Sequence, residues 1–95
     1  MHVISRKALR TFWVSYPDSK APLVRWFQIM RQTDFESLSA LRRTFPSADK
    51  VDDLVVFNIG GNKYRLIASI HFNRRKAYVR HVLTHAQYDA GAWKS

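Results

Sequence analysis

The sequence contains no cysteine. Disulfides, thiol nucleophiles and thiolate metal sites are therefore excluded together, and the chain suits a reducing compartment. It also lacks any uninterrupted apolar run near the roughly 18 residues that a membrane-spanning helix requires. The opening Met1-His2-Val3-Ile4-Ser5-Arg6-Lys7 places no apolar stretch behind its basic residues. A soluble, cytoplasmic protein without a membrane partner is the expectation. Acidic residues are scarce: 7 Asp and Glu stand against 16 Lys and Arg, for a formal charge of +9. A field of that sign gathers near polyanions, whether nucleic acid, anionic lipid or an acidic protein.

What is present is a chain of 95 residues, 46% apolar and 14% aromatic. That is enough apolar material to fold as one domain without staples, and too little length for two cores. The charge is unevenly placed. Residues 1–33 carry six cations against Asp18, whereas residues 34–53 are net acidic through Asp34, Glu36, Asp49, Asp52 and Asp53. From Leu54 to Tyr88 there are six cations (Lys63, Arg65, Arg74, Arg75, Lys76, Arg80) and no carboxylate. The same stretch reads most strongly as β-sheet, and a sheet that presents only positive charge is a candidate polyanion surface.

His2-Val3-Ile4 predicts an opening strand, followed by a helix from a Ser5 cap to Tyr16, where Pro17 stops it. Leu9, Phe12, Trp13 and Tyr16 share one face of it. Asp18 and Ser19 are possible caps for a second helix with Pro22 in its first turn and Leu23, Trp26, Phe27 and Met30 as its stripe. The helical spacing of these aromatics makes them core and not stacking platforms. Ser37 to Phe45 predicts a third, shorter helix ended by Pro46, after which the chain reads as loop to Asp53.

Leu54–Ile59 is a β-rich run closed by Gly60-Gly61-Asn62, whose glycines tolerate the positive φ of a tight hairpin. The next strand, Lys63 to Phe72, alternates, with Tyr64, Leu66, Ala68, Ile70 and Phe72 on one side. Lys63 and Arg65 then share the other, open side. Asn73-Arg74-Arg75-Lys76 supplies a polar turn, Ala77 to Thr84 a third consecutive strand, and His85 to Asp89 one helical turn. The order predicts an α+β fold, with an N-terminal strand and two to three helices packed on one face of an antiparallel sheet.

His81 and His85 would sit about 13 Å apart in a strand and do not suggest a shared metal. No metal ligand set, cofactor motif or phosphate-cradling glycine loop is visible, since Gly60-Gly61 lies between strands. Lys63, Arg65, Arg80, His85 and Tyr88 remain, near the ends of adjacent strands. Metal-free RNA cleavage needs a group to draw the 2′-hydroxyl proton, a donor for the departing 5′-oxygen and fixed positive charge on the phosphorane. Histidine serves as acid or base near neutral pH, and arginine grips phosphate with two parallel hydrogen bonds. A non-catalytic RNA-binding module using the same sheet, with Tyr64 or Tyr78 for stacking, is the alternative.

The blocks Val56-Phe57-Asn58-Ile59-Gly60-Gly61-Asn62-Lys63-Tyr64-Arg65-Leu66 and Tyr78-Val79-Arg80-His81-Val82-Leu83-Thr84-His85-Ala86-Gln87-Tyr88-Asp89 resemble the two signature blocks of HigB toxins. Val3-Ile4-Ser5, Tyr16-Pro17 and Phe45-Pro46-Ser47-Ala48-Asp49 resemble further family features in the same order, so the likeness spans nearly the whole chain. It implies a RelE-like microbial ribonuclease fold, translation-linked mRNA cleavage on the ribosome without a metal, and a helix-turn-helix antitoxin of the HigA type. It places Arg65 on the scissile phosphate and makes His85 and Tyr88 the acid–base candidates. Their charge makes Lys63, Arg74, Arg75, Lys76 and Arg80 the candidate contacts to RNA or the ribosome, and a two-residue Gly60-Gly61 loop would pair Asn58 with Lys63 on the basic face, as a supporting residue. Where the family commonly has Glu before the tyrosine this chain has Gln87.

Overall fold

In the computed structural model, which describes residues 1–94, proline and register decide where elements begin and end. Strand β1 (His2–Ile4) leads into helix α1 (Arg6–Ser15), and the tight turn Pro17–Ser19 separates it from α2 (Lys20–Gln32). Ser5 and Ser19 take the expected cap positions of α1 and α2, but neither makes a capping hydrogen bond with its side chain. Ser5 occupies the cap position of α1 at φ 83° without a side-chain hydrogen bond, and the Ser19 hydroxyl donates back to the Tyr16 carbonyl at 2.6 Å. Helix α3 (Leu38–Thr44) does have its cap, because the Ser37 hydroxyl accepts from Ala40 N at 3.1 Å.

The segment read as loop after α3 contains a short strand, β2 (Asp49–Val51), hydrogen-bonded to β3 (Leu54–Ile59). Its polar side chains carry no strand signal; the ladder of β3 recruits it, and its charges blunt the sheet edge. Strands β4 (Tyr64–His71) and β5 (Lys76–Thr84) complete a sheet of order β1-β5-β4-β3-β2. The pairings of β3 through β5 are antiparallel as expected and the unexpected β2 also joins β3 antiparallel, whereas β1 joins β5 in parallel, so the sheet is mixed. The architecture is the expected α+β one, consistent with a RelE-like fold.

The helices cover one face. Leu9, Leu23, Trp26, Met30 and Leu41 are buried there against Phe57, Leu66, Ala68, Ala77 and Val79, each large side chain contributing on the order of 1.5–3 kcal/mol on full burial. Between β4 and β5 the register passes from Ile67↔His81 to Ala68↔Val79. Arg80 is thus the extra residue of a β-bulge, which reverses the side-chain parity of β5. Val79 and Val82 both face the helices, while Leu83 joins a smaller cluster with Val56, Ile67 and Trp93 on the opposite face. The short tail after Tyr88 therefore does not trail away. It folds back as Ala92–Lys94 and covers one end of the face expected to be open.

The β3–β4 connection is four residues, Gly60 to Lys63, since Ile59 pairs with Tyr64 and Asn58 with Arg65. A two-residue turn would have paired Asn58 with Lys63. Released from the strand, Lys63 sends its Nζ to Asp18 at 3.3 Å and does not share a side with Arg65. The Tyr64 hydroxyl also donates to Asp18, so Asp18, expected as a helix cap, ties the α1–α2 turn to the hairpin. The Tyr64 bond holds the Asp18 carboxyl below its ordinary value, and Asp18 in turn pushes the Tyr64 phenol up to about 12.

The signs give this clamp two pH edges. A depressed carboxyl stabilises the fold above its unfolded value of 3.8 and loses that contribution as pH falls through the lower folded value. A raised phenol stabilises the fold below its unfolded value of 10.0 and loses it as pH climbs toward about 12. Tyr64→Phe, which keeps the ring packing against Phe12 and Tyr16, should melt earlier than wild type at neutral pH. The gap between them should close toward both pH extremes. Thermal melts of the two proteins from pH 3 to 11.5 test this, and a constant gap would show that Asp18 and Tyr64 are uncoupled.

Candidate active site

The hairpin end of β4 and β5 gathers three of the residues named from sequence. Arg65 stands on β4, and Thr84, at the end of β5, begins helix α4 (His85–Ala90) through reciprocal bonds with Gln87: Thr84 Oγ1 accepts from Gln87 N at 3.1 Å and Gln87 Oε1 accepts from Thr84 N at 3.0 Å. Gln87 is thus a capping residue, which explains how the position works without a carboxylate. Helix α4 is docked on the hairpin by His85 N, which donates to the Lys63 carbonyl at 2.9 Å. Its Tyr88 ring stacks on Trp93 at 5.1 Å, and Trp93 Nε1 donates to the Tyr88 carbonyl at 3.0 Å.

Arg65 does not stand free on an open face, as its strand position suggested; it is only 8% exposed. Its guanidinium lies over the Tyr88 ring at 5.5 Å. Nη1 donates to the carbonyls of Asn62 at 3.2 Å and Tyr64 at 3.1 Å, and Nη2 donates to Asn62 Oδ1 at 2.7 Å. All three acceptors are neutral. A cation taken out of water costs free energy unless hydrogen bonds satisfy it, and here they do so without cancelling its charge. Of the five guanidinium N–H groups, Nε–H and one on Nη2 stay unengaged among the described residues. Such a pair matches the two-point grip on a phosphate.

His85 has a partner that lies just beyond the carboxylate-free stretch. Its Nδ1 is 2.7 Å from Asp89 Oδ2, one helical turn on, with the imidazole 42% and the carboxylate 60% exposed. A histidine with Nδ1 held by a carboxylate presents Nε2 for proton exchange in a fixed orientation. The i,i+4 spacing of His85 and Asp89 on one helical turn was a readable signal for this pair. Asn62 and Trp93 offered none, because their roles depend on a turn and a tail closing in space.

Other named residues lie elsewhere. Lys63 is committed to Asp18. Asn58 is the cross-strand neighbour of Arg65 and is exposed. Arg80 projects from the bulge with its guanidinium 5.8 Å from the Tyr78 ring centre. Arg74, Arg75 and Lys76 sit at the far end of β4, about 23 Å from Tyr64 at the usual strand rise, and Arg75 pairs with Asp34 at 3.8 Å. They are out of reach of the anion that Arg65 would hold.

Fold and site together define a basic α+β protein with a buried arginine held by neutral oxygens and packed on the helix that carries a carboxylate-held histidine, a combination suited to an anionic substrate. The sequence matches the HigB_toxin family, the RelE-like toxic component of a toxin-antitoxin system, over residues 19–91, and the chain belongs to that family. It is 38% identical over 92 residues to the mRNA interferase toxin HigB of Escherichia coli (strain K12), covering 94% of this chain and 88% of the relative. The mRNA interferase HigB of Shigella flexneri is also 38% identical over the same shares. That of Escherichia coli O6:H1 (strain CFT073) is 32% identical over 92 residues, 94% of this chain and 89% of the relative.

Proposed function

We propose that this toxin cleaves mRNA on the ribosome by metal-independent transesterification, in the cytoplasm where both are found. The 2′-oxygen attacks the adjacent phosphorus, the bond to the 5′-oxygen breaks, and the products are a 2′,3′-cyclic phosphate and a 5′-hydroxyl. Arg65 binds the phosphate and stabilises the charge that builds on the phosphorane. His85, steered by Asp89, moves protons between the two ribose oxygens, and Tyr88 borders the site through its contact with Arg65. The observation that carries this reading is the buried Arg65 cation, saturated on one side by neutral oxygens and next in space to α4. Arg80 extends the positive surface from the bulge. The remote Arg74, Arg75 and Lys76 suit ribosomal RNA, and Asn58 supports Arg65 from the neighbouring strand. The names of the curated relatives support mRNA as substrate, and the family implies an antitoxin, which we assign to the HigA helix-turn-helix type.

The test is primer extension on a reporter mRNA incubated with purified protein, with and without translating ribosomes. Products with 5′-hydroxyl ends are expected only with ribosomes. Intact transcripts under both conditions would overturn cleavage, and equal cutting of free RNA would overturn ribosome dependence. Co-expression of the small helix-turn-helix protein from the adjoining reading frame should restore growth, and continued arrest would remove it as the partner.

A further inference from the structure

Gly60 to Lys63 makes two different kinds of contribution. Gly60 and Gly61 supply the positive φ angles, 63° and 70°, that the turn requires. Asn62 does not: among the described non-glycine residues only Ser5, Asp52 and Arg75 take positive φ. The conformational reason that usually places asparagine in a turn is therefore absent here. Asn62 spends its side-chain oxygen on Arg65 Nη2 at 2.7 Å and its backbone carbonyl on Nη1 at 3.2 Å, with the Tyr64 carbonyl as the third acceptor. One exposed residue thus supplies two of the three acceptors that hold a buried guanidinium.

We infer that Asn62 is a positioning residue for the cleavage reaction, immobilising Arg65 through neutral oxygens so that its remaining N–H fork meets the scissile phosphate with undiminished charge. This rests on the proposed role of Arg65. The amide does what neither neighbouring residue type would do. Alanine offers no side-chain acceptor, and aspartate would hold the guanidinium but cancel its field. The carbonyl of Lys63, the next residue, holds His85 N at 2.9 Å, so this turn joins the arginine to the helix that carries the histidine.

A double-mutant cycle on single-turnover cleavage by ribosome-bound protein separates positioning from general stability. Asn62→Ala should lower the maximal rate up to about 10²-fold, the cost of a reacting group displaced by an ångström or so. In an Arg65→Ala background the same change should cost less than about twofold, as coupled residues require. Asn62→Asp keeps the acceptor and should still lose most of the rate. Outside activity, the Arg65 Nη–H resonances in 15N NMR should be resolved by slowed guanidinium rotation in wild type and Asn62→Asp, and averaged or broadened in Asn62→Ala. Equal losses in both backgrounds, a wild-type rate in either Asn62 variant, or unaltered Nη–H signals in Asn62→Ala would overturn the inference. If Arg65→Ala itself cleaves normally, the assigned site falls, while NMR still reports whether Asn62 holds the guanidinium.

Discussion

Arg65→Ala should lower single-turnover mRNA cleavage by about 10²–10³, the usual cost of losing one preorganised charge at a developing oxyanion. Arg65→Lys should recover only part of it, because an ammonium lacks the planar fork and cannot satisfy the Asn62 and Tyr64 oxygens in the same geometry. Since Arg65 is buried, the alanine variant also loses packing and should melt earlier than wild type. Arg65→Met retains most of the buried stem, so its rate should match that of the alanine variant while its melting temperature lies nearer to wild type. Rates from quench-flow with programmed ribosomes, beside thermal melts, check both halves. A wild-type rate in Arg65→Met would remove the guanidinium from the chemistry.

His85→Ala should cost about 10²–10⁴, the range of a positioned acid–base group, and should abolish an ionisation from the pH–rate profile. Asp89→Asn should fall between the alanine variant and wild type while keeping that ionisation, because the imidazole remains but loses the acceptor at 2.7 Å that orients it. His71→Ala is the control: its ring contacts Ser69 Oγ at 3.3 Å and the Tyr78 ring at 5.3 Å, at the other end of the sheet from α4, and its profile should match wild type. An unchanged profile and near-normal rate in His85→Ala would hand proton transfer to Tyr88 or the ribosome. His85 would then be a residue that shapes the helix start.

How much of this was readable from the chain follows from what each signal encodes. Helical spacing on Leu23, Trp26 and Met30, the β-rich run Leu54–Ile59, the glycines of the turn and the single-sign charge from Leu54 to Tyr88 are local patterns. They are enough for the α+β class and for the strand end where the candidate residues sit. The resemblance then singled out Arg65, His85 and Tyr88, and the structure places them together. Their environments were not local. Whether Lys63 sits with Arg65 or with Asp18 depends on the hairpin connection having four residues and not two, which releases Lys63 from the strand. The bulge at Arg80 is a one-residue slip that reverses side-chain parity along β5, and the polar β2 exists only because β3 offers a ladder.

The amino-acid sequence by itself therefore determined the charge, the helices, the strands β1 and β3 to β5 and the candidate side chains, since those reside in residue type and short-range period. Only the tertiary structure decided that Arg65 is buried beneath the Tyr88 ring and that Asn62 holds it with neutral oxygens. Each of these depends on segments distant along the chain, or on a helix start and a turn, settling at one distance, and packing sets such distances where composition does not.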